Sequence, residues 1–257
     1  MLTIDKAETY GWEAAIRGMR NPMNSWDKMD TVVCDRYQLY EYCDCWSYSG
    51  YGACPQRNNC TDGVWVNEFQ SVHLGDNDLD LMKRLAKSGV DHRKYMRMIA
   101  IYCDITAPLY WWKEFDTYKV GTVANSCSTM HKIQAKKFTL DDFSHDHLLE
   151  EAEDFEVGVW WGTDADTSIE PKDLLELTIS GLNKYRNAYL ETKDKKYWWQ
   201  MIQLLPSSYN QKRTVMFNYE VLANIYKSRK NHKLDEWHAF CDWIKTLPYS
   251  ELITGEE

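Results

Sequence analysis

Hydrophobic residues recur along this chain with two different periods, and these periods predict helices and one clear strand. Spacing of three to four residues predicts helices over about 5–19, 78–88, 171–192, 196–204, 213–230 and 234–246. Strict alternation at Ile99, Ile101, Cys103 and Ile105 predicts a strand within residues 95–105.

Capping residues and a proline set two of the predicted boundaries. The second helix is expected to have Asn77 or Asp78 as its N-cap and to stop at Gly89. Pro108 is typical of the first turn of a helix, which we expect to run to about Lys119.

Two further elements complete the pattern. Thr139 predicts a helix that runs to about residue 153, and Phe155–Trp161 has the composition of a strand. The chain is therefore expected to be a helix-rich α+β protein with a small antiparallel or mixed sheet, forming a single domain over residues 1–257.

Residues 31–64 interrupt the periodic pattern and are rich in cysteine and tyrosine. We interpret them as an insertion within the domain, formed by irregular loop or short hairpins. Five of the eight cysteines lie here, at Cys34, Cys43, Cys45, Cys54 and Cys60. Their spacing is not the paired Cys-x-x-Cys typical of zinc sites, so we assign no metal ligands. A metal-stabilised interaction module in this segment remains an alternative.

Charge and composition exclude some partners. The net charge of −9 argues against an extended nucleic-acid surface, although a mononucleotide or dinucleotide needs only a few local cations. No apolar run is long enough to span a membrane, and the N-terminus lacks the regions of a signal peptide. We therefore expect a cytoplasmic protein. The 12 tryptophans and 17 tyrosines suit core and subunit-interface packing.

Two segments carry a resemblance to a known family. In the first, the predicted strand ends at Ala107–Pro108 and leads into an aromatic helix and a polar turn. In the second, Asn218, Asn224 and Arg229 follow Pro206 at fixed spacing. These segments, about 78–131 and 205–240, resemble the flavin-dependent thymidylate synthase family (ThyX) at matching distances.

The chain departs from the family's motifs at several positions. Counted from Ala107, the family's Arg-His-Arg motif falls on Thr117, Tyr118 and Lys119, so that only Lys119 keeps a positive charge. The family's substrate-loop serine falls on Cys127. Candidates for the missing cations elsewhere in the chain are Arg93, Lys94, Arg97, Arg213, Lys227 and Lys230.

The resemblance implies an activity and a set of site residues. The family methylates C5 of dUMP, with methylene-tetrahydrofolate as carbon donor, FAD as hydride carrier and NADPH as reductant, in a homotetramer whose sites lie between subunits. The residues implied at the flavin are Lys119, Asn218 and Asn224. Those implied at the nucleotide are Asn125, Cys127, Ser128 and Arg229, of which Cys127 and Arg229 are the catalytic candidates.

Two of these residues also have a physical rationale. Asn218 and Arg229 lie eleven residues apart, about three helical turns, so one helix can offer an amide near one end and a guanidinium near the other. A Cys127 thiolate could add to C6 of a uracil and activate C5, whereas a thiol that only fills the serine's space would not. A protein of the same fold that retains nucleotide or flavin binding without catalysis is the second alternative.

Overall fold

The computed structural model describes residues 1–35, 64–67, 70–149, 157–159 and 167–256. Most of the predicted insertion at 31–64 therefore lies outside the described residues. The strands are β1 (Thr3–Tyr10), β2 (Val32–Asp35), β3 (Val64–Trp65), β4 (Gln70–His73), β5 (Ala100–Pro108), β6 (Val123–Ser126), β7 (Val157–Val159), β8 (Thr167–Ile169) and β9 (Asn210–Asn218). The helices are α1 (Trp12–Arg20), α2 (Asp76–Lys87), α3 (Leu109–Phe115), α4 (Pro171–Thr192), α5 (Lys195–Leu204), α6 (Tyr219–Arg229), α7 (Asp235–Lys245) and α8 (Glu251–Thr254). This confirms the helix-rich α+β prediction.

The described strands form small sheets. The largest of these is a four-stranded sheet in the order β1-β5-β9-β6, in which β1 and β6 are the edge strands. The other sheets are antiparallel: β4 pairs with β2 and β3, and β7 pairs with β8. The predicted strand at Phe155–Trp161 is confirmed for β7.

The predicted helix over residues 5–19 is wrong in its first half, which forms β1. Gly11 separates the strand from α1 at a φ of +89°, which favours glycine. A Cβ at this position would also lie 2.2 Å from the backbone oxygen of Met98. The helical spacing is confirmed from Trp12 onward, because Trp12, Ile16 and Met19 are buried together.

The strand predicted over residues 95–105 is confirmed from Ala100 onward, in β5, where Ile101, Cys103 and Ile105 are buried. Its predicted start is wrong, because Lys94–Arg97 forms a 3-10 turn and the buried Ile99 precedes the strand. Pro108 ends this strand in an extended conformation instead of starting the helix. The following helix also ends at Phe115, earlier than the predicted Lys119. Thr117, Tyr118 and Lys119 therefore lie in the loop between α3 and β6.

Two other predicted helices are wrong over part of their length. The Thr139–Asp142 capping box forms, but it begins only one 3-10 turn, and residues 143–149 are not helical. The last part of this predicted helix, residues 150–153, lies outside the described residues. Residues 213–218 belong to β9, because Val215 and Phe217 alternate into the core as strand residues do. The predictions for α4, α5 and α7 are confirmed to within one residue at each end.

The N-terminus of α2 is capped by a residue that lies far away in the sequence. The helix begins at Asp76, and the Asp30 carboxylate accepts hydrogen bonds from the backbone nitrogens of Asn77 (2.9 Å) and Asp78 (3.0 Å). The prediction of Asn77 or Asp78 as the N-cap is therefore wrong. Asp78 instead forms a buried ion pair with Arg20, at 2.6 Å.

The described residues cluster into two compact units, and the single-domain prediction remains a prediction. The first consists of Met1–Thr3, Thr106–Asp116 and Ser126–Arg213, and the second of Ile4–Ile105, Thr117–Asn125 and Thr214–Glu257. In the first unit, α4 and α5 pack around a core that contains Leu182 and Met201. In the second, Trp12 packs edge-on against Tyr219 and Tyr249. No helix among the described residues combines the length and hydropathy that a membrane crossing requires.

Candidate functional site

The start of α6 fixes Asn218, one of the residues predicted at the flavin. Asn218 is the N-cap, and its Oδ1 accepts a hydrogen bond from the backbone nitrogen of Val221, at 3.0 Å. Its Nδ2 faces the 117–122 loop, since a Cβ on Gly121 would lie 3.0 Å from it. Gly121 has a φ of +79°, so both the backbone and the close approach require glycine. The structure thus brings Asn218 to the loop that contains Lys119.

Lys119 itself is exposed in this loop. Its carbonyl oxygen accepts a hydrogen bond from the backbone nitrogen of Thr122, at 3.4 Å, which helps to close the turn before β6. The Lys119 ammonium is therefore a solvent-facing cation on the loop that passes over the N-terminus of α6.

Asn224 lies six residues after Asn218, about 1.7 helical turns further along α6, and it contacts the arginine Arg93. Its Oδ1 accepts a hydrogen bond from Nη2 of Arg93, at 2.9 Å. The Nε of Arg93 donates to the buried carboxylate of Glu220, at 3.3 Å, and Nε of Arg97 donates to the other oxygen of that carboxylate. We call Arg93, Arg97, Glu220 and Asn224 the Glu220 cluster. Because one carboxylate faces two guanidinium groups, the cluster keeps a net charge of +1.

Electrostatics in the Glu220 cluster favour the charged state of Arg97. The hydrogen bond that Arg97 donates to Glu220 raises the pKa of the Arg97 guanidinium, and the negative charge of Glu220 raises it further. Glu220 is buried, and a buried carboxylate needs such partners to offset its lost hydration. Arg93 and Arg97 are two of the six candidate substitutes in the sequence. The structure places Arg93 against both Asn224 and Glu220, and Arg97 against Glu220.

Arg229, the predicted nucleotide ligand, is the last residue of α6 and packs among aromatic rings. Its Nε donates a hydrogen bond to Oη of Tyr118, at 2.9 Å. Its guanidinium carbon lies 4.8 Å from the ring centre of buried Trp237 and 5.6 Å from that of Tyr118. Tyr118, at the middle position of the altered motif, thus orients the arginine that the resemblance assigns to the substrate.

The substrate-loop candidates are divided between the two units. Asn125 belongs to the second unit and lies exposed on edge strand β6. Cys127 and Ser128 belong to the first unit, and both are exposed. The hydroxyl of Ser128 accepts a hydrogen bond from the backbone nitrogen of His131, at 2.9 Å.

The backbone of Cys127 is held firmly by the start of β9. Its nitrogen donates to the carbonyl of Lys212, at 2.9 Å, and its carbonyl accepts from Nε2 of Gln211, at 2.8 Å. Arg213 in turn holds Gln211 through a 3.0 Å hydrogen bond and forms a 2.7 Å ion pair with Asp116. Both backbone polar groups of Cys127 are therefore hydrogen-bonded to the start of β9, while the residue itself is exposed.

Comparison with known proteins identifies the architecture. No protein-family model matches the sequence, and no curated protein matches it either. Among solved structures, the chain is similar to Thymidylate Synthase X (ThyX) from Helicobacter pylori with FAD and dUMP. The TM-score is 0.57 at 14% identity, over 98% of this chain and 96% of that chain. The chain has a ThyX-like fold.

A second structure of the same Helicobacter pylori enzyme, complexed with FAD and dUMP, supports this assignment. It aligns at a TM-score of 0.54 and 15% identity, over 97% of this chain and 95% of that one. The ThyX-like fold predicted from the two segments is confirmed, and the low identity marks this chain as divergent. A shared fold does not establish a shared reaction, because the chemistry depends on the side chains at the site.

Proposed function

We propose that this protein methylates C5 of dUMP in a flavin-dependent reaction, with methylene-tetrahydrofolate as carbon donor and NADPH as reductant. In this reaction a carbon–carbon bond forms at C5, the C5 proton is lost, and reducing equivalents from NADPH convert the methylene group to methyl. FAD, when bound, carries the hydride. The observation that carries the proposal is α6 of the ThyX-like fold, with Asn218, Asn224 and Arg229 at its start, its middle and its end.

The residues of the flavin side suit an FAD molecule. The Nδ2 of Asn218 is left to donate, because N-capping uses only its Oδ1. Arg93 contacts Asn224 from a cluster of net positive charge, and Lys119 adds an exposed cation. These groups can together hold a diphosphate and a ring carbonyl, although a lysine does not replace a bidentate arginine. We propose that Arg93 supplies charge missing from the loop positions of Thr117 and Tyr118.

On the nucleotide side, we propose that Arg229 binds the substrate with its guanidinium oriented by Tyr118 and Trp237. A planar guanidinium held against rings is pre-organised, so it loses little side-chain freedom on binding. Asn125 and Ser128 offer neutral hydrogen-bonding groups for the pyrimidine or ribose. The exposure of Lys119 and Asn125 on one chain suits sites completed by a second subunit of a homotetramer.

Cys127 is the candidate nucleophile. We propose that its thiolate adds to C6 of the uracil, which forms a sulfur–carbon bond and places electron density on C5. C5 then forms its bond to the methylene carbon of the folate, and loss of the C5 proton with elimination of the thiolate restores the C5=C6 double bond. The fixed backbone of Cys127 favours this role, because a nucleophile must be positioned. Cys127→Ser, which keeps the shape, should lower kcat at least tenfold while leaving FAD binding unchanged. Unchanged kcat would show that the thiol only fills space.

The test of the proposed function is flavin uptake followed by turnover. The purified protein, mixed with FAD and freed of unbound cofactor, should retain an oxidised-flavin absorbance band at about 450 nm. With dUMP, methylene-tetrahydrofolate and NADPH, it should release tritium from the C5 position of labelled dUMP. A protein that takes up no FAD contradicts the flavin proposal. One that takes up FAD but releases no tritium would be the non-catalytic binding protein.

A further inference from the structure

The segment that follows β6 is fixed to α4 and α5 at its C-terminal end. We call residues 127–138 the loop segment. Two of its residues, Ile133 and Phe138, are buried in the core that α4 and α5 line. Asn183 of α4 holds both backbone polar groups of Phe138, through hydrogen bonds of 3.0 and 2.9 Å. The loop segment therefore begins at exposed residues and ends in the core of the first unit.

Two side chains of α4 and α5 bind carbonyl groups in the middle of the loop segment. Nε1 of Trp198 donates a hydrogen bond to the Met130 carbonyl, at 3.1 Å. Nε of Arg186 donates to the Gln134 carbonyl, at 2.9 Å, and its Nη2 donates to the Ala135 carbonyl, at 3.5 Å. Arg186 has no ion pair with any residue that the structure describes, so its positive charge strengthens these bonds to backbone.

The hydrogen bond from Trp198 fixes the turn that contains Ser128. Oγ of Ser128 accepts from the backbone nitrogen of His131, at 2.9 Å, and its carbonyl accepts from that of Lys132, at 3.3 Å. The Met130 carbonyl, which Trp198 binds, lies within this turn. Because the Ser128 hydroxyl accepts from His131, its own hydrogen is left to donate. An exposed donor of this kind suits an acceptor oxygen of a nucleotide.

Cys127 is held in a different way. Its two backbone polar groups bind Gln211 and Lys212 of β9, and neither bond involves α4 or α5. The loop segment is thus anchored at two places: β9 holds Cys127, and the two helices hold the turn after it. Loss of the helix anchor can therefore disturb Ser128 while the backbone of Cys127 stays in place.

We propose that Trp198 and Arg186 are positioning residues for the nucleotide, which hold the turn in which Ser128 binds dUMP. The identity of the ligand rests on the proposed function. A turn that is already ordered loses little conformational freedom on binding, so its disorder weakens affinity without removing a contact to the ligand. Trp198 and Arg186 thus set the affinity for dUMP, while Cys127 carries the chemistry.

Trp198→Phe tests this proposal, because it keeps an aromatic ring against the core and removes the indole donor. We expect the Kd for dUMP, measured by calorimetry with FAD added, to rise about fivefold, because one ordering hydrogen bond is lost. The kcat for tritium release should stay within about twofold of wild type. Trp199→Phe is the matched control. Trp199 is exposed and has no hydrogen bond with a described residue, so both constants should be unchanged.

Hydrogen–deuterium exchange measures the turn without any ligand. In a peptide that covers residues 128–137, Trp198→Phe should speed exchange about fivefold at the amides of His131 and Lys132, because the turn opens more often. Trp199→Phe should not. Arg186→Gln should speed exchange in the same peptide and raise the Kd for dUMP. Arg186→Lys keeps a charged donor, so it should restore part of the protection and part of the affinity.

Three results would overturn the proposal. The first is unchanged exchange in both Trp198→Phe and Arg186→Gln. The second is an equal rise of the Kd in Trp199→Phe and Trp198→Phe. The third is faster exchange with an unchanged Kd, which would make the contacts of Trp198 and Arg186 purely structural. Calorimetry needs no turnover, so these results decide the proposal even in a protein that binds dUMP without methylating it. A wild-type protein that binds no dUMP contradicts both the proposed function and the ligand named here, whereas changes confined to the variants concern the positioning residues alone.

Discussion

Two buried carboxylates in the second unit, Asp78 and Glu220, both bind arginine, yet their surroundings differ. Asp78 has no exposed side-chain surface, and its partner Arg20 is only 4% exposed. Its second oxygen accepts hydrogen bonds from the backbone nitrogens of Asp30 and Thr31, at 3.1 and 3.0 Å. We call Asp78 and Arg20 the closed pair, because both charged groups are buried and bind to other groups of the protein instead of to solvent.

Glu220 is nearly as buried, with 6% of its side chain exposed, but the two arginines that bind it are partly exposed to solvent. Arg93 is 18% exposed and Arg97 is 51% exposed. With two cations for one carboxylate, the Glu220 cluster presents charge to solvent next to Asn224. Burial of the acid is thus similar in the two cases, whereas the number and exposure of its arginine partners differ. We propose that this second difference separates a structural ion pair from a binding site.

The largest effect should come from breaking the closed pair. Asp78→Ala leaves a buried guanidinium and two backbone N–H groups unpaired, so we expect it to lower the free energy of unfolding by about 3–5 kcal/mol. Urea denaturation followed by tryptophan fluorescence measures this. Asp80→Ala, on the same helix, is the control, because its pair with Arg84 is exposed and should contribute less than about 1 kcal/mol. Equal effects would contradict the closed-pair interpretation.

Glu220→Gln should destabilise the protein less than Asp78→Ala does. The amide still accepts one hydrogen bond, and water can reach the arginines, so we expect a loss of about 2 kcal/mol in the free energy of unfolding. The same denaturation experiment measures it, with Glu13→Gln on the exposed face of α1 as the control. A loss as large as that of Asp78→Ala would show that the Glu220 cluster is also a structural element.

Arg93→Gln should affect cofactor binding more than stability. We expect the Kd for FAD to rise about tenfold, because a cation near the diphosphate is lost. The free energy of unfolding should fall by about 1 kcal/mol, less than in Glu220→Gln, because Arg97 still pairs with Glu220. Riboflavin, which lacks phosphate, separates charge from shape: its Kd should not change. Fluorescence titration measures both ligands, and Arg17→Gln, an exposed arginine on α1, is the control. An equal change for riboflavin would contradict a phosphate role for Arg93.

Local signals made much of the fold predictable from sequence. Alternation from Ile99 to Ile105 predicts β5 because every second residue is buried, and Pro171 marks the start of α4. Two of the errors, at β1–α1 and at β9–α6, arise where a strand runs directly into a helix. At β9–α6, the apolar residues of 213–218 fit either period, and only Asn218 as an N-cap marks the change.

The candidate site was only partly predictable, for a different reason. Asn218, Asn224 and Arg229 lie on one helix, so fixed spacing reveals them. Their partners do not, because Arg93 lies 131 residues from Asn224 and Tyr118 lies 111 residues from Arg229. The spacing of hydrophobic residues within one helix or strand gives no information about such distant pairs, which only tertiary packing brings together.

The smallest effect should come from Arg97→Gln, and it tests the open side of the Glu220 cluster directly. Arg97 is half exposed, so water replaces its contacts and the free energy of unfolding should fall by less than about 1 kcal/mol. Glu220 keeps Arg93, so the FAD Kd should change less than about threefold, and added salt should reduce even that difference. A Kd change as large as that of Arg93→Gln would mean that the outer arginine also contacts phosphate. A stability loss comparable to that of Asp78→Ala would mean that Asp78 and Glu220 both have a structural role. Exposure of the arginine partners would then not distinguish a binding site from a structural ion pair.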